Sequence, residues 1–491
     1  MSSIKKQAVI IGAGPAGLTA GIELLKTDNF AVTVIERDDV VGGLAKTTEY
    51  KGCRYDIGPH HFITDSDKIE KWWKDLMGDD FFPHKRFTRI YYKKHFFNYP
   101  LDPMNVIRGL SLFECMRCVL SYIKIRLFPI KNVTSFQDWV TNKFGHRLFS
   151  IFFKTYTEKV WGIACHKISS DWAAQRIKGF SLSRAIFYAF CGRLFKKNAS
   201  NTLNEIFSTK SDVFYYPSKG SGTLWEKAAA WLQSFHDGQL YVQEEVVSVE
   251  HDGKNIKAVC TRVHTKEHAK KSTQALKTYV GDYFFSTMPL QTLIKSMDPL
   301  PSADIIKAAE SLCYRGLITV NLIIDKAPIC PDHWLYVHEK EVKMGRVGNM
   351  NNFSMKMVDK QTHTALSLEY FEFVGESMWK MSDADLVEMG RQELAKIGLI
   401  KVDDVIDGMV MRVSEAYPIY DELYHVHVTK VLEYLSQFTN LQLMGRNGLH
   451  RYNNMDIAML SAFSAVEKVK DLEKKRDVAT DSRPESHVAF L

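Results

Sequence analysis

The stretch QAVIIGAGPAGLTAGIELLKTDNFAVTVIERDDVVGGLAKT, residues 7–47, decides the fold of this chain. Residues 7–11 are a short apolar run that stops at Gly12, residues 15–26 follow a helical pattern, and a second apolar run, 31–35, ends in Glu36. Strand, helix and strand in that order make a βαβ unit. Gly12, Gly14 and Gly17 form GxGxxG at the turn from the first strand into the helix. One glycine permits the tight turn, one lets backbone approach a pyrophosphate, and one lets helix pack on strand, while the helix N-terminus favours the anion. Glu36 stands 19 residues after Gly17, where its carboxylate would accept hydrogen bonds from ribose hydroxyls. The motif therefore reads as a dinucleotide site in its full context.

Around this unit, 491 residues suggest two or three domains. With 45% hydrophobic and 25% charged residues the chain has the composition of a soluble globular protein. The net charge of +7 is spread along the chain, which argues against a nucleic-acid tail and points to local pockets for anionic substrates. Eight cysteines are too few for a disulfide scaffold, and no signal peptide is read at the start, so the cytoplasm is the expected compartment. Cys115 and Cys118 form a lone CxxC inside an amphipathic pattern, better read as core packing than as a metal site. No apolar run is long enough to span a membrane. Residues 110–129 and 180–195 mix apolar runs with Arg117, Lys124, Arg126, Arg184 and Arg193; they read as helices covering a domain, with peripheral membrane contact as the alternative.

Further helical patterns cover 65–77, 104–128 and 135–157. Residues 213–225 read as a loop entering a helix, 240–263 as strands about an Asp252–Gly253 turn, and 265–277 as a charged loop. Strands are expected at 282–287, 317–324 and 365–373, then a strand, glycine turn and helix at 443–467. The last ~20 residues read as a frayed tail.

Arg37 and the pair Gly42–Gly43, ending in GGLAKT, resemble the amine oxidase and UDP-galactopyranose mutase superfamily of FAD proteins. Ile57 to Phe62, IGPHHF, looks like the mutases' histidine loop, which places His60 against the flavin. Arg89 with Tyr99 and Pro100 is similar to a stretch bordering the mutase site. Trp161 and Arg176, 15 residues apart with Trp172 between them, match the spacing of a mutase tryptophan and diphosphate-binding arginine. Phe214 to Pro217 followed by Gly220 and Gly222 resembles the family's FxFPxxGxGG segment; Trp334, Leu335 and Tyr336 form WLY, with Arg346 ten residues beyond Tyr336 as the second diphosphate clamp. Ala416–Tyr417–Pro418 is similar to the family's GYP turn, and Gly445 to Asp456 to its last flavin-contact segment, with Tyr452 facing phosphate. Phe353, Thr157 and the pair Ile457–Ala458 depart from the mutase pattern, which leaves the sugar and nucleotide open.

The resemblance implies an α/β fold: a Rossmann-type FAD-binding domain (GR2-like) from 1–95, 205–288 and 410–470, an inserted, helix-rich α+β substrate domain from 96–204 and 289–409, and a flexible tail at 471–491. FAD would be held by Gly12, Gly14, Ala16, Gly17, Glu36, Arg37, Gly43, Leu44, His60, Val246, Gly445, Arg446 and Asn454. Arg89, Tyr99, Trp161, Arg176, Tyr336, Arg346, Tyr417 and Tyr452 would take the substrate, with His60, Arg176 and Arg346 catalytic and no metal. The implied reaction is interconversion of pyranose and furanose forms of a nucleotide-sugar, most simply a UDP-sugar, by attack of reduced flavin N5, in glycan or polysaccharide biosynthesis, with NAD(P)H a candidate reductant. The rival is an FAD-dependent oxidoreductase of the amine oxidase, protoporphyrinogen oxidase or desaturase type. The oligomeric state is left open.

Overall fold

The computed structural model describes residues 5–99, 101, 103–170, 213–263 and 276–481, and two compact units divide the chain. The expected segment 180–195, Trp172, Arg176 and most of the charged loop at 265–277 lie outside the described residues. The first unit is Met1–Gly43, Trp225–Glu310 and Lys430–Leu491; the second is Leu44–Leu224 and Ser311–Thr429. Residues 44–95, 213–224 and 410–429 thus group with the second unit and 289–310 with the first.

In the first unit five parallel strands run in the order Leu441–Leu443, Tyr283–Ser286, Lys6–Ile11, Phe30–Ile35, Gly238–Tyr241. Parallel strands covered on both sides need near-continuous apolar runs, and Val9, Ile10, Val34 and Ile35 are accordingly buried. The helix Pro15–Leu25 opens with proline at its start, where a missing N–H costs nothing. Beside this sheet, Glu244–His251 and Ile256–Val263 form the expected hairpin. Gly253 takes a left-handed φ of +88°, and the Asp252 carboxylate accepts the Lys254 and Asn255 amides at 2.9 and 2.7 Å. The C-terminal helix runs Met455–Asp481, past the point where a tail was expected. Val466 and Val469 anchor it, and beyond them Tyr283 binds Glu473 and accepts from Arg476 at 2.9 Å.

The second unit is organised by seven strands in the order Val405–Pro418, Tyr314–Ile324, Thr364–Glu372, Arg346–Asn349, Trp334–Val337, Thr88–Tyr92, His95–Asn98. On one face Ile318, Val320 and Leu322 join Leu366, Leu368 and Tyr370 under Leu386 and Leu394 of the helix Asp383–Lys396. Alternation then turns Ser367, Glu369 and Phe371 to the other face. The expected helix 104–128 is two, Pro103–Gly109 and Leu112–Leu127, because Ser111 caps the second by accepting the Glu114 amide at 3.3 Å. The expected helix 135–157 breaks at Gly145, φ +81°, and ends with Thr155–Trp161. Residues 213–217, expected in a loop, are a strand, Val213–Pro217, paired with Phe81–Lys85. Its aromatic residues favour the sheet and Pro217 closes it. Cys118 of the CxxC packs in a core with Ile90, Phe97 and Phe152.

Candidate functional site

In the first unit the glycine loop separates into positions the protein itself requires and one it does not. Gly12 has φ +100°, and a side chain there would overlap Thr287 Oγ1; at Gly17 it would overlap the Gly12 carbonyl oxygen. Gly14 has an ordinary φ of −80°, and the nearest atom to an added Cβ is Gly43 Cα at 3.8 Å. Neither backbone nor packing demands glycine there. The bare backbone forms a cradle at the start of the helix Pro15–Leu25, which has no side-chain cap and no acidic residue in its first turn. Free amides and an uncompensated helix dipole fit a pyrophosphate.

Glu36 accepts the Ala13 amide at 2.7 Å and the Asp38 amide at 2.9 Å. Burial raises its pKa and these amides draw it back. It shapes the loop, and each oxygen retains a lone pair for a ribose hydroxyl. The Gly42 amide braces the loop from outside by donating to Ala13 O at 2.9 Å. Gly445, φ +78°, brings a second segment to Ala16, with 3.2 Å between an added Cβ and that of Ala16. Arg446 donates twice to the Asn453 carbonyl, at 3.1 and 2.6 Å, and lies 4.7 Å from the Tyr452 ring. The Asn454 carbonyl accepts the Ala458 amide at 3.0 Å, beginning the last helix. Val246 is buried at a bulge in Glu244–His251, and Arg37 is exposed.

In the second unit strand register places Arg346 directly opposite Glu369. One terminal nitrogen of Arg346 donates to the Glu369 carboxylate and to the Tyr417 hydroxyl, the latter at 2.8 Å. The Arg346 side chain is 15% exposed and that of Glu369 1%. Burial is the largest influence on Arg346 and opposes its charge, but the Glu369 carboxylate together with Tyr417, Tyr156 and Tyr336 outweighs it and raises the guanidinium pKa; burial also raises that of Glu369. Arg346 Nε and Glu369 Oε1 are buried with no hydrogen-bond partner among the described residues. Such a tethered cation with open hydrogen-bonding positions suits a polyoxygen anion.

Aromatic rings wall this cluster. Tyr336 meets Tyr156 edge-on at 5.2 Å and Tyr99 at 5.2 Å, and Trp161 meets Tyr417 edge-on at 6.3 Å. Lys159 lies between Tyr156 and Trp161 on their helix. It donates to the carbonyls of Val337, Glu339 and Met344 at 3.2, 2.5 and 3.0 Å, tying that helix to the hairpin of Tyr336 and Arg346. Burial lowers its pKa to about 8. The histidine loop reaches the same place: a Cβ on Gly58, φ +82°, would lie 3.3 Å from Glu369 Oε2. His60 Nε2 is 2.8 Å from Ile57 O, and His61 stacks on Trp334 at 5.1 Å.

The structure thus gathers Tyr99, Trp161, Tyr336, Arg346, Tyr417 and the loop of His60. It does not gather Arg89, which pairs in register with Leu335 and so lies on the opposite face from Tyr336. There Arg89 makes a two-pronged ion pair with buried Asp332, at 2.9 and 2.7 Å. Tyr452 and Leu44 belong to the first and second units respectively, and Arg176 is outside the described residues. Sequence reasoning missed Tyr156 and Glu369. For Glu369 the signal was an acidic residue inside the apolar strand TALSLEYFE. Burial raises the Tyr156 pKa well above its ordinary value, keeping it a neutral donor.

Comparison with known proteins places the architecture. Residues 10–76 match the family of NAD(P)-binding Rossmann-like domains. Curated relatives match only over short stretches. A 1-hydroxycarotenoid 3,4-desaturase from Flavobacterium sp. (strain P99-3) is 31% identical over 121 residues, 24% of this chain and 25% of that protein. A phytoene desaturase from Fusarium fujikuroi is 41% identical over 59 residues, 12% of this chain and 10% of that protein. The solved structures match over nearly the whole chain. Reduced UDP-galactopyranose mutase has a TM-score of 0.79 at 20% identity, covering 95% of this chain and 96% of its own. A protein assigned as protoporphyrinogen oxidase from Exiguobacterium sp. 255-15 has a TM-score of 0.68 at 16% identity, covering 96% and 99%. The chain therefore carries the flavoprotein fold expected from its sequence, that of UDP-galactopyranose mutase and its oxidase-like neighbours, built on an N-terminal NAD(P)-binding Rossmann-like domain.

Proposed function

We propose that this chain is an FAD-dependent enzyme that interconverts the pyranose and furanose forms of a nucleoside-diphosphate sugar. The observation that carries the reading is the buried Arg346–Glu369–Tyr417 cluster, walled by Trp161, Tyr336 and Tyr156. The cradle at Gly14 and the carboxylate of Glu36 support FAD as the cofactor, which in its reduced form supplies a nucleophilic nitrogen for the anomeric carbon. Arg346 takes the diphosphate and balances the charge that grows on it as the anomeric C–O bond breaks. Glu369 fixes the plane of that guanidinium. Tyr336 and Tyr417 orient the phosphates by hydrogen bonds, and Trp161 walls the sugar and excludes water. Arg176 is the second clamp and His60 the flavin contact on the strength of the mutase resemblance, and glycan biosynthesis is the corresponding role.

One observation favours a second reading, net oxidation of a lipophilic or amine substrate: the curated sequence matches include a 1-hydroxycarotenoid 3,4-desaturase and a phytoene desaturase. Hydride removal has no use for a buried guanidinium facing tyrosines, which favours the first reading. Calorimetric titration of UDP into the dithionite-reduced protein separates them. Binding that weakens at least roughly tenfold in Arg346→Met is the expected result. Failure of UDP to bind in either flavin state, with a polyene or amine reducing the oxidised flavin, would put the desaturase reading in its place.

A further inference from the structure

Among the described residues nothing covers one apolar face of the helix Leu112–Leu127. Leu112, Leu127 and the following Phe128 are 75%, 68% and 72% exposed, and Phe113, Met116, Leu120 and Ile123 are exposed as well. At about 100° per residue these side chains from Leu112 to Leu127 share one arc of roughly 100°, a stripe wide enough to be a burial face. The opposite face is the seated one: Cys118 is buried, the Ser121 hydroxyl accepts the Arg147 amide at 3.0 Å, and Tyr122 backbone crowds Gly145 so closely that an added Cβ would lie 2.9 Å from its nitrogen. The exposed stripe is therefore not a core face turned the wrong way.

Charge identifies the occupant. On the same geometry Arg117 and Lys124 border one side of the stripe and Arg126 borders the other, all three exposed. The helix has a single acidic residue, Glu114, and both its oxygens are taken, by Arg117 at 2.8 Å and by Arg147 at 2.9 Å. A second copy docking through this stripe would set cations against cations whether the helices ran parallel or antiparallel, since a two-fold axis brings basic borders together in both cases. An anionic bilayer surface meets both the apolar stripe and its basic borders. Among the described residues no helix is long and apolar enough to cross a membrane, so this one would lie in the surface. We propose that the helix Leu112–Leu127 is an in-plane anchor that docks the protein on an anionic membrane.

The test is cosedimentation of the full chain with vesicles of phosphatidylcholine, with and without phosphatidylglycerol, alongside light scattering without lipid. Binding should require phosphatidylglycerol and weaken with salt. Arg117→Gln, Lys124→Gln and Arg126→Gln should each weaken it about fivefold. The triple variant Phe113→Ser/Leu120→Asn/Leu127→Asn should abolish it while leaving the thermal unfolding transition in place, since these side chains are exposed. No binding to either vesicle overturns the proposal, as does binding that the triple variant retains. A dimer without lipid that the triple variant dissociates would make a second copy the occupant and overturn it equally.

Discussion

Replacing Glu369 by glutamine removes one charge from a pair that is almost wholly shielded from water, with 1% of the glutamate and 15% of the arginine side chain exposed. The Arg346 guanidinium would remain buried with only neutral acceptors among the described residues, the glutamine carbonyl oxygen and the Tyr417 hydroxyl, in place of the carboxylate. Breaking a buried pair from one side typically costs about 3–5 kcal/mol, and the residual exposure of Arg346 places Glu369→Gln near the lower end, about 3 kcal/mol. That is roughly a hundredfold in the folding equilibrium. Urea unfolding followed by tryptophan fluorescence reads it directly. Arg346→Met/Glu369→Gln should recover at least about 2 kcal/mol of the loss, because no uncompensated charge is left. UDP should restore more stability to Glu369→Gln than it adds to the parent, since the diphosphate then supplies the missing anion. A Glu369→Gln protein within about 0.5 kcal/mol of the parent, or a double variant whose cost is the sum of the singles, would refute the reasoning.

Two further outcomes follow from the geometry. Gly14→Ala should change stability by less than about 1 kcal/mol, because its Cβ meets only Gly43 Cα at 3.8 Å, yet purify without flavin absorbance; Gly17→Ala should cost several times more, because its Cβ overlaps Gly12 O. Loss of fold in Gly14→Ala would contradict the cradle. His333 is buried, its pKa lowered by burial from 6.5 to about 4, and the Phe87 amide donates to its Nδ1 at 3.2 Å. The unfolded chain takes up that proton before the folded one does. The His333 contribution is therefore full above pH 6.5 and lost as pH falls towards 4, by about 3 kcal/mol. Unfolding free energies of the parent and His333→Gln measured across that range should converge at the acid end, and parallel curves would contradict the assignment.

Much of the first unit was legible because its chemistry is contiguous: strand, GxGxxG, helix, strand and glutamate lie within 31 residues, from Lys6 to Glu36. In the second unit, alternation marked the strands at 317–324 and 365–373, but their order in the sheet depends on pairings far apart in sequence, such as Arg346 with Glu369 and Leu335 with Arg89. The face on which Arg89 lies is fixed by that register alone, so motif matching could not assign it. Helix breaks at Ser111 and Gly145 were hidden by apolar patterns that continue through them. Tyr156 gave no signal of its own; it enters the cluster because Lys159, one turn along, pins their helix to the hairpin.

The most direct measurement of the central claim is turnover of UDP-galactose by the dithionite-reduced protein, with sugar ring size read by chromatography and NMR and the oxidised protein as control. The account predicts a furanose product only from the reduced protein, with no net consumption of reductant and loss of product in Arg346→Met. A reduced protein that binds UDP yet leaves the ring unchanged across UDP-sugars, or an oxidised one that yields product with peroxide, would contradict it.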